Sequence, residues 1–166
     1  MQGKSRPKPF SMQSEEGDRY AYFLIRPHVC DGQVPWLLEF VKGHFGTADV
    51  HVVRVVHANR YDARQLVEAE YAEHRGKPFF GPLVHSMTYE CGVVGVIRVV
   101  RVHVPDRFGE PWAAVRDLCG DSDPEAAAEG TIRRRFFYRG RERRYNVVHS
   151  PDSAEAAAAF KARWVQ

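Results

Sequence analysis

The chain has 166 residues, 44% of them hydrophobic and 12% aromatic, enough to bury one sizeable core and too few for two. Its 24 Lys and Arg against 21 Asp and Glu give a net charge of +3, which suits an anionic ligand without demanding a nucleic acid. The cysteines Cys30, Cys91 and Cys119 form no C-x-x-C pair, so neither a disulfide framework nor a zinc knuckle is indicated, and a reducing cytoplasm fits. No run approaches the roughly 18 apolar residues of a membrane span, and no signal-peptide core follows Lys4, Arg6 and Lys8.

Residues 1–17 are polar, with two prolines and the stretch SEEGD, and read as a flexible tail, leaving 18–166 as one domain. RYAYFLIRP (19–27) is aromatic and aliphatic and stops at Pro27, as a buried strand does. VPWLLEFVKGHFG places Trp36, Leu37, Phe40 and Val41 on one helix face, with Gly43 or Gly46 as the stop. ADVHVVRVVHA (48–58) is β-branched and partly alternating, a second strand, and YDARQLVEAEYAEHRG (61–76) is rich in helix formers up to a glycine. CGVVGVIRVVRVHV (91–104) reads as a long third strand and PWAAVRDLCG (111–120) as a short helix. RRRFFYRGRERRYNVVH holds strand-like segments around a glycine turn, and SAEAAAAFKARW, with Ser153 as its N-cap, closes the chain with a helix. The order β-α-β-α-β-α-β-α predicts an α+β domain, a split β-α-β sheet with helices over one face.

Neither a G-x-x-x-x-G-K-[ST] loop nor a G-x-G-x-x-G turn is present, so the phosphates of any bound nucleotide need other donors. Arg116, in the short helix, and Arg133, after GTI, carry guanidinium forks that match phosphate oxygens, and Asn146 precedes His149 by three residues. Taken singly, each has a plainer reading: Arg116 as a solvated helix face, Asn146 as a strand-edge residue, His149 as a satisfied interior histidine.

Together they carry a resemblance. GKPFFGPLVHSM (76–87), CGDSDPEAAAEGTIRRRF (119–136) and NVVHSPDSAEAA (146–157) resemble nucleoside diphosphate kinases in order and spacing, and RYAYFLIRP resembles that family's first strand. The resemblance runs over about 19–165 and implies a four-stranded antiparallel sheet of ferredoxin-like type. It matches His149 to the histidine the family phosphorylates and Asn146 to the asparagine on the ribose hydroxyl. Arg116 and Arg133 match the phosphate-binding arginines, and Ser122 stands at a phosphate-contacting threonine. Phe79 matches the aromatic that stacks on the base, Leu83 its apolar neighbour and Tyr71 the tyrosine beside the histidine, while Arg26 takes the place of an active-site lysine. The implied reaction is ping-pong phosphoryl transfer from a nucleoside triphosphate to a diphosphate or a related phosphorylated nucleoside, with magnesium brought in by the nucleotide. The implied assembly is a homo-oligomer.

The chain also departs from that pattern. Arg26-Pro27-His28-Val29 stands for lysine-proline-aspartate-glycine, and Ser150-Pro151 for glycine-serine after the histidine. The family's glutamate on the last helix, acceptor of the histidine's other N–H, aligns with Phe160; Glu155, five residues earlier, lies about 140° away around the helix. The expectation is therefore a histidine without its orienting acceptor. That loss keeps open a nucleotide-binding regulatory or interaction protein, beside an enzyme acting on a modified nucleotide. RVVRVHVPDRFGEP is longer than the family pattern, and residues 133–145 hold seven arginines among Phe136, Phe137, Tyr138 and Tyr145, a nucleic-acid surface in the sharper reading and a basic rim in the plainer one. His51 and His57 share a strand face but lack cysteine or carboxylate partners at ligand spacing.

Overall fold

A computed structural model describes residues 18–58, 60–88, 95–139 and 144–165. Among these described residues, six strands and six α-helices follow in the order β1 (Tyr20–Ile25), α1 (Val34–Phe45), β2 (Val50–His57), α2 (Tyr61–Glu70), α3 (Phe80–Thr88), β3 (Val96–His103), α4 (Pro111–Cys119), α5 (Ile132–Arg135), β4 (Phe137–Arg139), β5 (Arg144–Asn146), β6 (Val148–His149) and α6 (Ala154–Trp164). The main sheet has the order β2-β3-β1-β6 with every pairing antiparallel, the expected ferredoxin-like arrangement; β4 and β5 form a separate hairpin. Residues 140–143, Cys91 and residues 1–17 lie outside the described residues.

Strand periodicity decides which helices meet which face. On β1, Ala21, Phe23 and Ile25 point into a core shared with Leu37 and Val41 of α1 and Val115 and Leu118 of α4. Leu24 and the partly buried Tyr22 point the other way, into a second core with Val67 of α2, Met87 of α3 and Phe160 and Trp164 of α6. The expected helical layer is thus joined by a second, and β1 and β3 are covered on both faces, which is why β1 runs without a charged residue.

Several local expectations hold and three shift. Gly46 stops α1 at φ 64°, its N–H bonded to the Lys42 carbonyl at 2.9 Å, the left-handed cap glycine favours. The Ser153 side chain accepts from the Ala156 N–H at 3.0 Å and starts α6. The buried stripe of α1 is Val34, Leu37, Val41 and Phe45, one side of a 3.6-residue repeat, so Trp36 faces solvent. Helix α2 ends at Glu70, and a 3-10 turn at Ala72–His74 replaces its expected continuation. Helix α3 forms inside the glycine- and proline-rich motif GKPFFGPLVHSM; Pro82 is the third residue of the helix, where an N–H has no intrahelical acceptor and its loss costs little.

The long tract before α4 is tied down. Arg19 donates to the Val104, Pro105 and Gly109 carbonyls at 3.0, 3.0 and 2.8 Å, and Arg107 to the Phe45 carbonyl at 2.9 Å. Phe108 meets the Phe45 ring edge-on. The extra length therefore anchors the start of the helix that carries Arg116.

Candidate active site

His149 pairs with Leu24 and Val148 with Ile25 across β6 and β1. Directly paired residues share a sheet face, so Val148 enters the α1–α4 core while His149 follows Leu24 towards α2, α3 and α6. The histidine lines a cleft of about 830 Å³. All nine residues singled out from the sequence line it: Arg26, Tyr71, Phe79, Leu83, Arg116, Ser122, Arg133, Asn146 and His149.

Each is placed by an identifiable piece of chain. Arg26 leaves β1 with its N–H on the Val147 carbonyl at 2.9 Å, so the strand-end bond directs it beside β6. Tyr71, just past α2, is buried with its ring 4.8 Å from the His149 ring. Phe79 and Leu83 are linked by the Leu83 N–H to the Phe79 carbonyl at 2.9 Å, hence on one side of the first turn of α3; the Phe79 ring is 49% exposed, with Lys77 over it at 5.7 Å and the His74 ring at 5.2 Å. Arg116 donates from α4 to the Ser150 carbonyl at 3.1 Å.

Arg133 is spent differently. It is only 2% exposed, and its guanidinium donates to Asn146 Oδ1 at 3.0 Å, to the Val148 carbonyl at 3.3 Å and to the Gly120 carbonyl. Gly120 holds that carbonyl in place at φ 84°, where a Cβ would lie 2.7 Å from Thr131. The Val148 N–H also reaches Asn146 Oδ1 at 3.0 Å, and Asn146 Nδ2 donates to the Ser122 carbonyl at 3.3 Å. Arg133 and Asn146 therefore lock β6, the strand of His149, to the loops after α4.

The charges do not close on themselves. Among the described residues no carboxylate pairs with Arg26, Arg116 or Arg133, and burial, with the nearby Arg116 and Arg26 charges, lowers the pKa of Arg133. Arg26 Nε, the Tyr71 hydroxyl and Ser150 Oγ are buried without hydrogen-bond partners among the described residues, although buried polar atoms are nearly always satisfied. Like-signed guanidinium groups and orphaned polar atoms around one cleft are what an anionic ligand would complete.

The expected loss at Phe160 is real, but its consequence is not. Phe160 is fully buried and lies against the His149 ring at 6.3 Å and Trp164 at 6.1 Å. The acceptor comes instead from the last residue of α2: Glu70 Oε1 stands 2.8 Å from His149 Nε2, while Oε2 accepts from Trp164 Nε1 at 2.9 Å and from Arg163. Burial pushes the Glu70 carboxyl up, but hydrogen bonds from His149 and Trp164 and the Arg163 charge outweigh it and hold its pKa below the usual range. An ionised carboxylate can only accept, so Nε2 bears the proton and Nδ1 keeps its lone pair. Burial lowers the pKa of His149, against the opposing pull of Glu70, so the ring is neutral at pH 7. Nothing in the sequence distinguishes Glu70 from Glu68 or Glu73; its helical turn relative to β6 alone selects it.

Beside Arg26, His28 has a pKa lowered to about 4 by burial and the Arg26 charge. A histidine that stays neutral in the fold but protonates near 6.5 when unfolded stabilises the fold above pH 6.5, and that stability is lost as pH falls towards 4. His28→Gln should remove about 3 kcal/mol of acid-linked destabilisation between pH 7 and pH 4, read as a flatter plot of urea midpoint against pH. An unchanged slope would show that other groups govern it. Of His51 and His57, His51 has a local use: its Nε2 meets Asp49 at 3.3 Å.

No described helix is long and apolar enough to cross a membrane. The family model for nucleoside diphosphate kinase matches residues 21–166. Nucleoside diphosphate kinases of Mycobacterium tuberculosis and Mycobacterium marinum are 42% and 41% identical over 101 residues, 60% of this chain and 65% of each relative; the chain thus matches slightly less than two thirds of their length. Among solved structures, the Halobacterium salinarum nucleoside diphosphate kinase in complex with CDP is 26% identical, with a TM-score of 0.58 over 86% of this chain and 84% of that one. The Encephalitozoon cuniculi enzyme, at 21% identity and a TM-score of 0.60 over 89% and 88%, shares the fold. With its fold, its cleft and a family match over nearly its whole described length, the chain belongs to the nucleoside diphosphate kinase family.

Proposed function

We propose that this protein transfers the γ-phosphate of a nucleoside triphosphate to a nucleoside diphosphate through phosphohistidine at His149. The observation that carries the reading is a neutral imidazole with its Nδ1 lone pair free, set in a cleft with three guanidinium groups that have no carboxylate counter-ion among the described residues. The Nδ1 lone pair forms a bond to the γ-phosphorus as the bond to the β-phosphate oxygen breaks, and that oxygen leaves with the electron pair on the diphosphate. A second diphosphate then attacks phosphohistidine by the same path reversed, so one site serves donor and acceptor. The reaction is largely positioning and charge stabilisation: Arg26 and Arg116 face the phosphates, Arg133 adds charge from beneath, and the Tyr71, Ser122 and Ser150 hydroxyls supply polar contacts. Phe79, flanked by Leu83, offers a stacking face to the base, and Asn146 reaches the ribose.

We also propose that magnesium enters with the substrate, carried on its phosphate oxygens; separately, no cluster of three or more His, Cys, Asp or Glu side chains that could hold a metal ion is found among the described residues. A homo-oligomer is part of the same proposal, supported by β2, an edge strand with Val53 and Val55 exposed. So are a single domain over 18–166 and a cytoplasmic location, which the free thiols of Cys30 and Cys119 suit.

The test is incubation with γ-labelled ATP and magnesium, intact-mass analysis, mapping of acid-labile phosphate, and a chase with several nucleoside diphosphates. Label on His149 that passes into new triphosphates is the expected result. Nucleotide binding without phosphohistidine would replace the reading with a nucleotide-binding module.

A further inference from the structure

Glu70 is joined to the nucleophile by one oxygen and to α6 by the other. We propose that Glu70 is the positioning residue of this site: with Arg163 and Trp164 pinning its second oxygen, it holds His149 in the Nε2–H tautomer and leaves Nδ1 as the attacking atom. The inference rests on phosphoryl transfer at His149 and assigns the orienting role to a residue and an element that the family pattern does not predict. In that pattern the last helix supplies the carboxylate; here α6 supplies Phe160 in its place and acts as the clamp.

The geometry restricts the carboxylate to this task. Arg163 and the Trp164 indole are both donors, so the oxygen they share must be an acceptor. The other oxygen, 2.8 Å from Nε2, has no other hydrogen-bond partner among the described residues and fixes the ring N–H. The Phe160 and Tyr71 rings, with centroids 6.3 and 4.8 Å from that of the imidazole, limit its tilt. After attack, Nε2 keeps its proton and the ring gains positive character, which the adjacent carboxylate stabilises without taking the proton.

The donor pair makes a distinctive prediction about glutamine. In Glu70→Gln the side chain has one oxygen, and Arg163 and Trp164 both require it. The amide N–H groups must then turn towards His149 Nε2, which can only accept them, so the ring proton moves to Nδ1 and blocks the nucleophile. Glu70→Ala, by contrast, imposes no tautomer. Phosphohistidine formation should therefore fall by ~10³-fold to ~10⁴-fold in Glu70→Gln, the scale of a wrong-tautomer histidine, but by only ~10-fold to ~100-fold in Glu70→Ala, the usual loss of an orienting partner. Stability should run in the opposite order, because glutamine still satisfies Arg163 and Trp164 and alanine does not.

The experiment measures single-turnover phosphorylation by γ-labelled ATP, urea midpoints, and the ¹⁵N shifts of the His149 ring in wild type and both variants. Expected are an Nε2–H ring in wild type, an Nδ1–H ring in Glu70→Gln, and opposite orders of activity and stability. A Glu70→Gln variant that keeps the Nε2–H tautomer, or that is faster than Glu70→Ala, overturns the proposal. The ring shifts need no turnover, so failure of wild type to form phosphohistidine would sink the reading of function while the tautomer assignment is judged separately.

Discussion

His149→Ala should lose phosphoryl transfer by roughly 10⁴-fold or more, the scale seen when a covalent nucleophile is removed, while nucleotide affinity changes by only a few-fold. The separation follows from what the imidazole touches. Its Nε2 meets Glu70 and its ring meets Tyr71 and Phe160, whereas Phe79 and Arg116 are held by α3 and α4 and do not depend on it. Truncation also leaves Glu70 with Arg163 and Trp164, so no buried charge is abandoned and the fold should survive. Removing one positionally neutral ring from a cationic cleft gives no reason for phosphate binding to weaken. Coupled assays of transfer, beside fluorescence titration with a nucleoside diphosphate, check both halves. Unchanged transfer would mean that another group attacks phosphorus, and a parallel collapse of affinity would mean that the ring serves binding.

The parts of the site that could be read from sequence are those whose position follows from the strand order. Once β1, β3 and β6 are adjacent, Arg26 and His149 must lie at neighbouring strand ends, and the loops after α4 must close over them; the separated motifs are enough to bring Arg116, Ser122, Arg133 and Asn146 to the same cleft. Glu70 was not legible, because its contact crosses 79 residues and depends on the angle at which α2 ends. Ending that helix one residue before the buried Tyr71 directs Glu70 into the β6 face and starts a 3-10 turn, and neither helix propensity nor spacing shows where an all-helix-forming stretch will break. Helix α3 was hidden for the opposite reason. Its motif is rich in Gly and Pro, yet Gly76 and Pro78 precede the helix and Gly81 and Pro82 fall in its first turn, while Val84, Met87 and Thr88 are buried further along. The second helical layer went unread because a strand buried on both faces and one buried on a single face differ only in the polar positions between the apolar ones, and β1 has few.

Arg133→Met should cost about 3–5 kcal/mol of folding stability, the scale of breaking one side of a buried ionic or hydrogen-bonded network. Two effects oppose each other. Removing the guanidinium relieves repulsion from Arg26 and Arg116 and a desolvation cost that already lowers its pKa. It also takes one of two donors from Asn146 Oδ1 and leaves the Gly120 and Val148 carbonyls without the guanidinium, a buried unmet acceptor costing about 1–3 kcal/mol. Asn146 Oδ1 keeps the Val148 N–H, so the loss is less than three full penalties, but two buried carbonyls and the unfilled space outweigh the repulsion relieved. Arg133→Lys retains the charge and can reach one acceptor at a time, because an ammonium is a point donor without the planar fork; it should recover only part of the loss. The same network carries the nucleophile's strand, so transfer should fall further than stability alone predicts, and saturating nucleoside diphosphate should narrow the stability difference less than it would for a surface arginine. Urea midpoints of wild type and both variants, with and without nucleotide, decide the matter. An Arg133→Met variant within 1 kcal/mol of wild type would show that repulsion wins, and would make Arg133 a phosphate ligand held in place by the fold at a cost, not a brace for β6.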